Sequence, residues 1–336
     1  MRLLMLGGTE FVGRAVVEAA LGRGWEVTVF HRGRHEAPPG ARSLLGDRTV
    51  PGGLSALADD PGEWDVVVDT WSAAPSAVWD TARLLRGRAG RYVYVSSCSV
   101  YAWAPPAGYT EDAPVVEGAS ADAEQTDYAR DKRGGELAAV ASFGADRSLL
   151  VRAGLILGPY ENVGRLPWWL TRMSRGGPVL APGPRDLPLQ YVDVRDLSEW
   201  ILGAAKQKLS GPYTLVSPQG HATMGTFLEA CARVTGGAAE LRWTEPGVIL
   251  EAGIEPWTQL PVWVPPGSDL HDALHSADVS RAVGAGLVCR PVEETVADTW
   301  NWLGGIGGVA PQRPDRTSKG LDPGVEAKVL AVGTGA

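Results

Sequence analysis

The sequence predicts a doubly wound α/β fold, a parallel sheet with helices on both faces, followed by a smaller and irregular C-terminal lobe. Short apolar runs alternate with stretches whose apolar residues recur at helical spacing, a pattern typical of parallel sheets covered on both faces. The first run, RLLML at residues 2–6, leads directly into a glycine-rich turn and then into a helical pattern. After residue 158 the alternation stops, and proline, glycine and tryptophan become frequent.

The strands of the sheet are predicted from short runs of apolar and β-branched residues. In chain order these runs cover residues 2–6, 26–30, 43–45, 65–69, 91–96 and 148–154. Helices are predicted over the segment that carries Val12, Ala15, Val16, Ala19 and Ala20, and over residues 75–85 and 125–143. Ligands of doubly wound sheets bind beyond the carboxyl ends of the strands, so we expect the functional residues in the loops that follow these runs.

The change in amino-acid composition after residue 158 also predicts the domain organisation. Residues 1–158 are expected to form the sheet domain, and a returning strand near residues 211–218, with its apolar run at 213–217, rejoins the sheet. Residues 159–195 and 220–320 are expected to form the second lobe. Residues 321–336 form a C-terminal tail with a short helical pattern at 325–332, and the sequence leaves its order open.

Composition and charge narrow the kinds of partner. A chain of 336 residues, 44% of them apolar and 21% charged, has the composition of a folded globular protein. The net charge of −8 at pH 7 leaves no basic field, so we expect no nucleic-acid partner. The apolar N-terminal run is too short for a signal peptide or a membrane span, so we expect no membrane partner either. The three scattered cysteines form no CxxC pair, which favours a reducing, cytoplasmic location and leaves a small molecule as the expected partner.

The glycine-rich turn, LGGTEFVG at residues 6–13, has the strand–turn–helix context of a Rossmann-type dinucleotide-binding loop. Glycines permit the tight turn, and the helix N-terminus offers free N–H groups and a partial positive charge to phosphate. The residues predicted to line the dinucleotide here are Gly7, Thr9, Glu10, Phe11, Val12 and Gly13. A carboxylate would repel a pyrophosphate, so we expect Glu10 to turn outward, toward Arg32 or Arg34. The N–H groups of Phe11 and Val12 would then face the phosphates.

The end of the second strand favours NADP(H) over NAD(H). Dinucleotide folds that bind NAD place an acidic side chain here for the ribose 2′-hydroxyl, whereas an arginine accommodates the 2′-phosphate of NADP. This sequence has His31, Arg32 and Arg34 at the strand end. Further predicted cofactor contacts follow the third and fourth strands, and they are Asp47 and Arg48 near the adenine, and Thr70 and Trp71 beside the nicotinamide half.

Tyr128 and Lys132 lie at i and i+4 in the predicted helix at 125–143, so they share one helix face. Hydroxyl groups crowd the carboxyl end of the fifth strand, in SSCSVY at residues 96–101. With the glycine loop, VRAGLILGP (151–159) and LQYVDVRDL (189–197), these motifs resemble the short-chain dehydrogenase/reductase superfamily, in its extended and atypical branch that includes the NAD-dependent epimerase/dehydratase family. The resemblance covers nearly the whole chain and implies an NAD(P)-dependent enzyme with a Rossmann-type fold.

Carried over by position, the resemblance makes Tyr128 the catalytic acid/base and Lys132 the residue that binds the nicotinamide ribose and lowers the pKa of the tyrosine. Ser97, four residues before Tyr101, is the hydroxyl that polarises the substrate carbonyl. A tyrosine pKa of about 10 must fall by roughly 3 units, about 4 kcal/mol, for proton exchange near neutrality. A unit positive charge at about 4 Å, with an effective dielectric of about 20, supplies on the order of 4 kcal/mol. The remaining cofactor contacts that we expect are Ser96, Ala153 and Leu155.

Departures from the family pattern select among the reactions that the resemblance permits. Dehydratases resembling this chain carry an Asp-Glu pair where Cys98 and Ser99 stand here, so dehydration is disfavoured. Epimerases commonly carry an asparagine and an arginine for the phosphates of the sugar nucleotide, at the positions of Leu155 and Leu189 here. We therefore expect a reductase or dehydrogenase that transfers hydride to or from a small carbonyl or alcohol substrate. A (nucleotide-)sugar epimerase, with Arg185 as substitute phosphate ligand, is the alternative, and a non-catalytic NADP-sensing protein is the third candidate.

Aromatic residues near the expected pocket suggest a substrate with a flat or ring-like apolar face. The predicted substrate contacts are Ser99, Trp103, Tyr160 and Trp168. His271 and His275 have an i, i+4 spacing able to bind zinc, but they lack an obvious third ligand, so no metal site is predicted. Many extended relatives dimerise through two helices of the sheet domain, so the resemblance is compatible with a homodimer, and the sequence leaves the oligomeric state open.

Overall fold

The computed structural model describes residues 1–123, 127–309, 312–313 and 316–332 of the chain. Its strands are β1 Arg2–Leu6, β2 Glu26–His31, β3 Arg42–Leu45, β4 Val66–Asp69, β5 Tyr92–Ser97, β6 Ser148–Ala153, β7 Ile156–Leu157, β8 Gly177–Pro182, β9 Pro188–Leu189, β10 Val192–Asp193, β11 Gly211–Leu215, β12 Ala222–Thr223 and β13 Ala239–Thr244. Its helices are α1 Phe11–Gly22, α2 Ser55–Asp59, α3 Ser76–Leu85, α4 Tyr128–Phe143, α5 Arg165–Ser174, α6 Val194–Lys206, α7 Met224–Val234, α8 Pro246–Glu251, α9 Asp269–His275, α10 Ser280–Gly284, α11 Val292–Gly305 and α12 Pro323–Val332. A short 3-10 turn, Cys98–Val100, follows β5.

The central sheet has seven strands in the order β11-β6-β5-β4-β1-β2-β3, and every neighbouring pair is parallel. The predicted doubly wound fold is therefore confirmed, and the strand near residues 211–218 is β11, at the edge beside β6. The chain leaves β1 toward β2 on one side, whereas β4 lies on the other side. This reversal of strand order opens a crevice at the carboxyl ends of β1 and β4, the usual ligand position in such sheets.

The two faces of the sheet are covered by different helices because successive side chains of a strand point to opposite faces. On β1, Leu3 and Met5 belong to the core cluster that includes residues of α1 and α6. Leu4 and Leu6 belong to the opposite cluster, with residues of α3 and α4. All four side chains are fully buried, and each contributes about 2 kcal/mol of hydrophobic stabilisation.

The second lobe has a core of its own, in which α5, α7 and α11 pack together and α7 lies against β13 of the strand pair β8 and β13. Trp169 and Trp263 are fully buried in it. Their indole N–H groups donate to the carbonyl oxygens of Pro261 at 2.7 Å and of Gly183 at 2.9 Å. Buried indoles with satisfied N–H groups stabilise a core, so much of the tryptophan-rich sequence serves packing.

The end of the chain is part of this core, and residues 323–332 form α12 against β8. Leu321 and Val329 are buried. The carboxylate of Glu326, 5% exposed, accepts hydrogen bonds from Arg172 Nε at 2.7 Å and from the backbone N–H of Leu180 at 3.1 Å. The helical pattern at 325–332 is thus an ordered helix.

Differences between predicted and observed elements are small in the sheet and larger elsewhere. Each strand of the sheet ends within about two residues of its prediction, which is the ordinary uncertainty of element ends. The helix predicted over 125–143 begins at Tyr128, and Gln125 lies outside the described residues. The two-residue strands of the second lobe carry no periodic pattern, and none of them was predicted.

Candidate active site

The loop between β1 and α1 forms a cradle at the point where the strand order reverses. Gly7 and Gly8 have φ of +107° and +92°, a region that residues with side chains rarely adopt. A Cβ atom on Gly13 would lie 2.6 Å from the backbone nitrogen of Gly8, so this glycine lets α1 approach the loop closely. The Glu10 side chain makes no capping hydrogen bond to α1, which leaves N–H groups of the first turn for a ligand. The cradle fits the pyrophosphate of a dinucleotide.

Glu10 is half exposed, as an outward orientation requires, but its partners differ from those predicted. Its carboxylate accepts a hydrogen bond from Asn162 Nδ2 at 3.3 Å and lies 3.7 Å from His35 Nε2. The predicted contact with Arg32 or Arg34 is wrong, because the loop between β7 and α5 brings Asn162 to the carboxylate.

His31 ends β2 as a buried residue. Its Nε2 lies 3.1 Å from Ser43 Oγ, and its Nδ1 accepts the N–H of Gly33 at 3.3 Å. Burial lowers the pKa of His31, which disfavours the charged form of the ring. Through its bond to the Gly33 N–H, the His31 ring holds the turn that precedes Arg34.

Arg32 and Arg34 are exposed, and their positive charges act on Asp47. The hydrogen bond from Thr49 Oγ1 is the main cause that lowers the pKa of Asp47, and the positive charges of Arg32 and Arg34 add to it. Two cations and one carboxylate therefore gather where the ribose of an adenosine group is expected.

Arg48 is bound by other side chains of the protein. Its guanidinium binds both carboxylate oxygens of Asp69, at 2.8 and 2.5 Å, and lies 4.8 Å from the centre of the Trp71 ring. Tyr92 Oη also donates to Asp69 at 2.6 Å. Burial alone would raise the pKa of Asp69, but the charge of Arg48 holds it below its usual value. Arg48, predicted as a cofactor contact, therefore ties the loop after β3 to the end of β4.

The loop after β4 is fixed by its neighbours. Thr70 Oγ1 donates to the carbonyl oxygen of Leu6 at 3.4 Å, which joins the ends of β4 and β1. The carbonyl oxygen of Trp71 accepts Lys132 Nζ at 2.5 Å and Tyr94 Oη at 3.0 Å. Thr70 and Trp71 thus lie between the glycine cradle and the lysine.

Lys132 is almost fully buried, at 3% exposure, and joins α4 to β5. Besides the Trp71 carbonyl, its ammonium group donates to the carbonyl oxygen of Val95 at 2.6 Å. Burial lowers the pKa of Lys132 to about 7, against the opposing charge of Asp69. Its Nζ also lies 4.9 Å from the centre of the Tyr94 ring.

Tyr128 is the first residue of α4, one turn before Lys132, and its side chain is 37% exposed. Asp127 caps this helix by accepting the N–H of Arg130 at 2.9 Å. The helix packs against β5 and the 3-10 turn. The phenol of Tyr128 is therefore partly exposed to solvent, whereas the ammonium group of Lys132, one turn further along the helix, is buried.

Ser97 ends β5 and is buried. Its Oγ accepts the backbone N–H of Ser99 at 3.1 Å and donates to Ser99 Oγ at 3.1 Å. Ser96 is also buried, and among the described residues its Oγ has no hydrogen-bond partner. Ala153 and Leu155, predicted as cofactor contacts, are buried.

The aromatic residues predicted for the substrate lie in different surroundings. Trp103 is 66% exposed, whereas Trp168 packs edge to face with Trp169 at 4.6 Å between ring centres. Tyr160 packs edge to face against Trp302, with 5.6 Å between ring centres, and has the Arg14 guanidinium 4.5 Å from its ring centre. Of these predicted contacts, Trp103 is the one that offers its ring freely to solvent.

Two residues, Arg316 and Glu161, were missed by the sequence reasoning. Arg316 places its guanidinium carbon 5.1 Å from the centre of the Tyr128 ring. Glu161 is fully buried and accepts the backbone N–H groups of Arg165 at 2.6 Å and Leu166 at 3.1 Å. Burial raises the pKa of Glu161 to about 7, against the charge of Arg165. The sequence offers one signal for Arg316, the close spacing of basic residues in RPDRTSK at 313–319.

Arg185, proposed above as a substitute phosphate ligand, lies outside the group of residues around Tyr128 and Lys132. Arg185 pairs with Glu229 at 2.6 Å on the surface, and Leu155 and Leu189 are buried. His271 and His275 pack with ring centres 5.3 Å apart in α9. Within the described ranges, no group of three or more His, Cys, Asp or Glu side chains could hold a metal ion. No helix in the described part of the chain is long and apolar enough to cross a membrane.

The fold and this crevice define a dinucleotide-binding protein of the doubly wound class. The sequence matches the profile of the NAD dependent epimerase/dehydratase family over residues 3–214, and the chain belongs to that family. The resemblance inferred from its motifs is thereby confirmed. A search of curated proteins finds no match.

Solved structures share the fold at low sequence identity. The Bordetella bronchiseptica enzyme WbmH in complex with NAD+ is 17% identical, with a TM-score of 0.64 over 92% of this chain and 99% of that chain. UDP-glucuronic acid 4-epimerase from Bacillus cereus in complex with NAD is 14% identical, with a TM-score of 0.64 over 90% and 96%. UDP-glucose 4-epimerase from Thermus thermophilus, a complex with NAD, is 20% identical, with a TM-score of 0.60 over 91% and 99%.

Proposed function

We propose that this protein is an NAD(P)-dependent oxidoreductase that transfers hydride to or from a carbon bearing a carbonyl or hydroxyl group. One observation carries the proposal. Lys132, one turn after Tyr128, binds the carbonyl oxygen of Val95 at 2.6 Å, two residues before Ser97. A phenol, an ammonium group and a hydroxyl thus lie at the end of one strand–helix pair, next to the glycine cradle.

The roles of these side chains follow from their chemistry. A reduced pyridine nucleotide, when bound, supplies the hydride. The Ser97 hydroxyl donates a hydrogen bond to the carbonyl oxygen of the substrate, and the Tyr128 phenol gives that oxygen a proton. The ammonium group of Lys132 stabilises the resulting phenolate. In the oxidative direction the phenolate takes the proton of the alcohol.

We propose NADP(H) as the preferred cofactor. The exposed Arg32 and Arg34 beside Asp47 support this preference, because guanidinium groups bind a 2′-phosphate well. The related structures named above are complexes with NAD, so the preference is a property proposed for this chain alone. The dissociation constant for NADPH is expected to be roughly tenfold lower than that for NADH, about 1.4 kcal/mol, when both are titrated by fluorescence.

The reaction is tested by mixing the protein with NADPH or NADH and a panel of ketones and aldehydes, while the near-ultraviolet absorbance of the cofactor is followed. At least one carbonyl should be reduced. Tyr128→Phe should fold and bind cofactor, yet lose turnover by roughly 10²- to 10⁴-fold, because it lacks the proton donor. Tyr213→Phe, in the edge strand β11, is the matched control and should keep its activity. A Tyr128→Phe protein that retains most of its kcat would contradict the proposal.

A sugar epimerase is the second candidate function. Two of the related structures are epimerases of UDP-sugars, and arginines do lie near Tyr128, as Arg316 shows. Interconversion of sugar isomers, together with no net oxidation of cofactor by any carbonyl, would favour it over the reductase.

We also propose that the protein works in the cytoplasm. All three cysteines, Cys98, Cys231 and Cys289, are free thiols, which supports a reducing, cytoplasmic location.

A further inference from the structure

We propose that the buried ion pair of Asp69 and Arg48 positions Lys132 for the proposed reaction. The pair fixes the carbonyl oxygen that holds the ammonium group, and its carboxylate stabilises the charged form of that group. Both residues therefore act through Lys132 and do not touch the substrate. This role rests on the proposed function, since it takes Lys132 as the residue that stabilises the phenolate of Tyr128.

A chain of hydrogen bonds leads from the ion pair to the lysine. Asp69, at the end of β4, accepts the backbone N–H of Trp71 at 2.9 Å. The carbonyl oxygen of the same residue accepts Lys132 Nζ at 2.5 Å. Tyr94 Oη donates to this oxygen at 3.0 Å, and the Tyr94 ring centre lies 4.9 Å from Nζ. Since Trp71 carries both contacts, the carboxylate of Asp69 determines where this acceptor of the lysine lies.

The carboxylate of Asp69 is itself held from several sides. Arg48 binds both of its oxygens, at 2.8 and 2.5 Å, and Tyr92 Oη donates to it at 2.6 Å. The side chains of Arg48 and Asp69 are only 7% and 0% exposed. With the N–H of Trp71, these donors occupy the roughly four acceptor sites of a carboxylate. The carboxylate therefore cannot turn away from Trp71 without losing other bonds.

The loop after β3 holds Arg48 in place. The N–H of Gly46 donates to the carbonyl oxygen of His31 at 3.0 Å, which attaches the loop to the end of β2. A Cβ on Gly53 would lie 1.7 Å from the carbonyl oxygen of Asp47, so the loop closes tightly on itself. The guanidinium carbon of Arg48 also lies 4.8 Å from the centre of the Trp71 ring. Arg48 thus supports Trp71 both directly and through Asp69.

The ion pair acts on Lys132 as an oriented dipole. Burial is the main cause that lowers the pKa of Lys132, and the charge of Asp69 opposes it. The charge of Arg48 lowers the pKa further, but less strongly than Asp69 raises it, and the charges of Arg313 and Arg316 add smaller effects. The negative end of the pair is therefore turned toward the ammonium group, although the pair carries no net charge.

Stability alone does not account for this pair. The cost of removing two charges from water offsets much of their attraction, so a buried ion pair contributes little net stability. A role in placing Lys132 and keeping its charge accounts for the pair better. Arg48 also directly follows Asp47, the residue predicted to lie near the adenine. The pair therefore links the adenosine end of the proposed cofactor site to the lysine.

The test follows the titration of Lys132 in the full-length protein, without cofactor or substrate. The free energy of unfolding is measured in urea from about pH 5.5 to about pH 9, for each protein and for its Lys132→Met form. The difference between the two forms rises with pH once the folded protein loses the proton of Lys132, because the unfolded chain still holds it. In the wild type this rise should begin near pH 7.

Two variants remove the charge of Asp69. Asp69→Asn leaves Arg48 in place, whereas Arg48→Met/Asp69→Asn leaves no buried charge of the pair without its partner. The rise should begin at lower pH in both, by roughly 1 pH unit in the double variant and by more in Asp69→Asn, where Arg48 still repels the ammonium group. Either variant is sufficient if only one of them folds.

The matched control removes a different ion pair. Arg172→Gln/Glu326→Gln neutralises a partly buried pair of the second lobe and should keep the rise near pH 7, whatever its overall stability. Once a carbonyl substrate is known, the pH profile of kcat gives a second readout. Its alkaline limb, where Lys132 loses its proton, should move to lower pH in the Asp69 variants and stay in place in the control.

Two results would overturn this role of the ion pair. One is a rise that begins at the same pH in the Asp69 variants as in the wild type. The other is a wild type whose stability runs parallel to that of its Lys132→Met form. The proposed function is judged separately, by Tyr128→Phe and the panel of carbonyl compounds, because the urea measurements need neither cofactor nor turnover.

Discussion

Lys132 carries its charge where water does not reach it, and that position has a measurable consequence. Its two observed acceptors, the carbonyl oxygens of Trp71 and Val95, take two of the three N–H groups of the ammonium and do not make up for the loss of hydration. The pKa of Lys132 is therefore about 7 in the folded protein, against 10.5 for an ordinary lysine. The group that would stabilise a phenolate at Tyr128 thus changes its charge near neutral pH.

The stability of the protein should report this titration. Between pH 7 and 8.5 the unfolded chain keeps the proton on Lys132 while the folded chain loses it, so this residue makes stability rise with pH. The free energy of unfolding of the wild type should rise by about 1.4 kcal/mol per pH unit relative to Lys132→Met over that range. Urea denaturation at several pH values measures the difference.

An exposed lysine provides the comparison for this experiment. Lys206→Met, at the end of α6, should keep the pH dependence of the wild type. Parallel pH profiles of the wild type and Lys132→Met would show that the buried lysine keeps an ordinary pKa.

Helix α1 works as a unit with the glycine-rich loop, because its first turn forms one wall of the cradle. The contact depends on a missing side chain, since a Cβ on Gly13 would lie 2.6 Å from the backbone nitrogen of Gly8. Backbone cannot move aside as a flexible side chain does. Any larger residue at Gly13 would therefore push the helix away from the loop.

The expected result of Gly13→Ala is a loss of about 1–3 kcal/mol in stability together with weaker binding of NADPH. Gly22→Ala, at the other end of the same helix, is the matched control, because a Cβ there meets nothing within 4 Å. Alanine favours helix by up to about 1 kcal/mol over glycine, so this variant should gain stability and bind cofactor normally. Thermal unfolding and a fluorescence titration measure both effects. Equal behaviour of the two variants would show that close approach at Gly13 does not matter.

At the scale of the whole molecule, helix α12 holds the second lobe together, because it packs on β8 and on helix α5 of that lobe. Glu326 is the polar centre of this contact, since it binds both Arg172 of α5 and the backbone of β8. Residues 316–320 lie directly before α12.

Glu326→Gln should lower the free energy of unfolding by about 2–3 kcal/mol, because it leaves the partly buried guanidinium of Arg172 without a charged partner. Glu251→Gln, an exposed residue at the end of α8, should change stability by less than about 0.5 kcal/mol. Urea denaturation of both variants gives the comparison. A Glu326→Gln protein as stable as the Glu251→Gln protein would mean that the contacts of Glu326 contribute little to the stability of the second lobe.

The sheet was predictable from the sequence, because the strands of a buried parallel sheet are apolar throughout and are separated by helical patterns. RLLML and VVVD are both of this kind, and both are strands. Two-residue strands such as β7 and β12 carry no such pattern, since their hydrogen bonds depend on partners far along the chain. The tryptophans were ambiguous for a similar reason, because only the folded lobe shows that Trp169 is fully buried.

The candidate site was predictable where a motif fixes local geometry, and not where packing decides. The glycine cradle and the Tyr128 and Lys132 pair follow from spacing within one element. The partners of Glu10 and Arg48 do not, because Asn162 and Asp69 come from other elements. Arg316 was missed because no periodicity marks its segment.

The edge strand β11 has a consequence for how the chain is made. It joins the sheet beside β6, although residues 154–210 separate the two in sequence. During synthesis the first half of the chain therefore emerges with β6 as an open edge, and an open edge can pair with strands of other chains. A ribosome that stalls before residue 211 would release a fragment prone to aggregation, so the first half is a poor candidate for expression on its own.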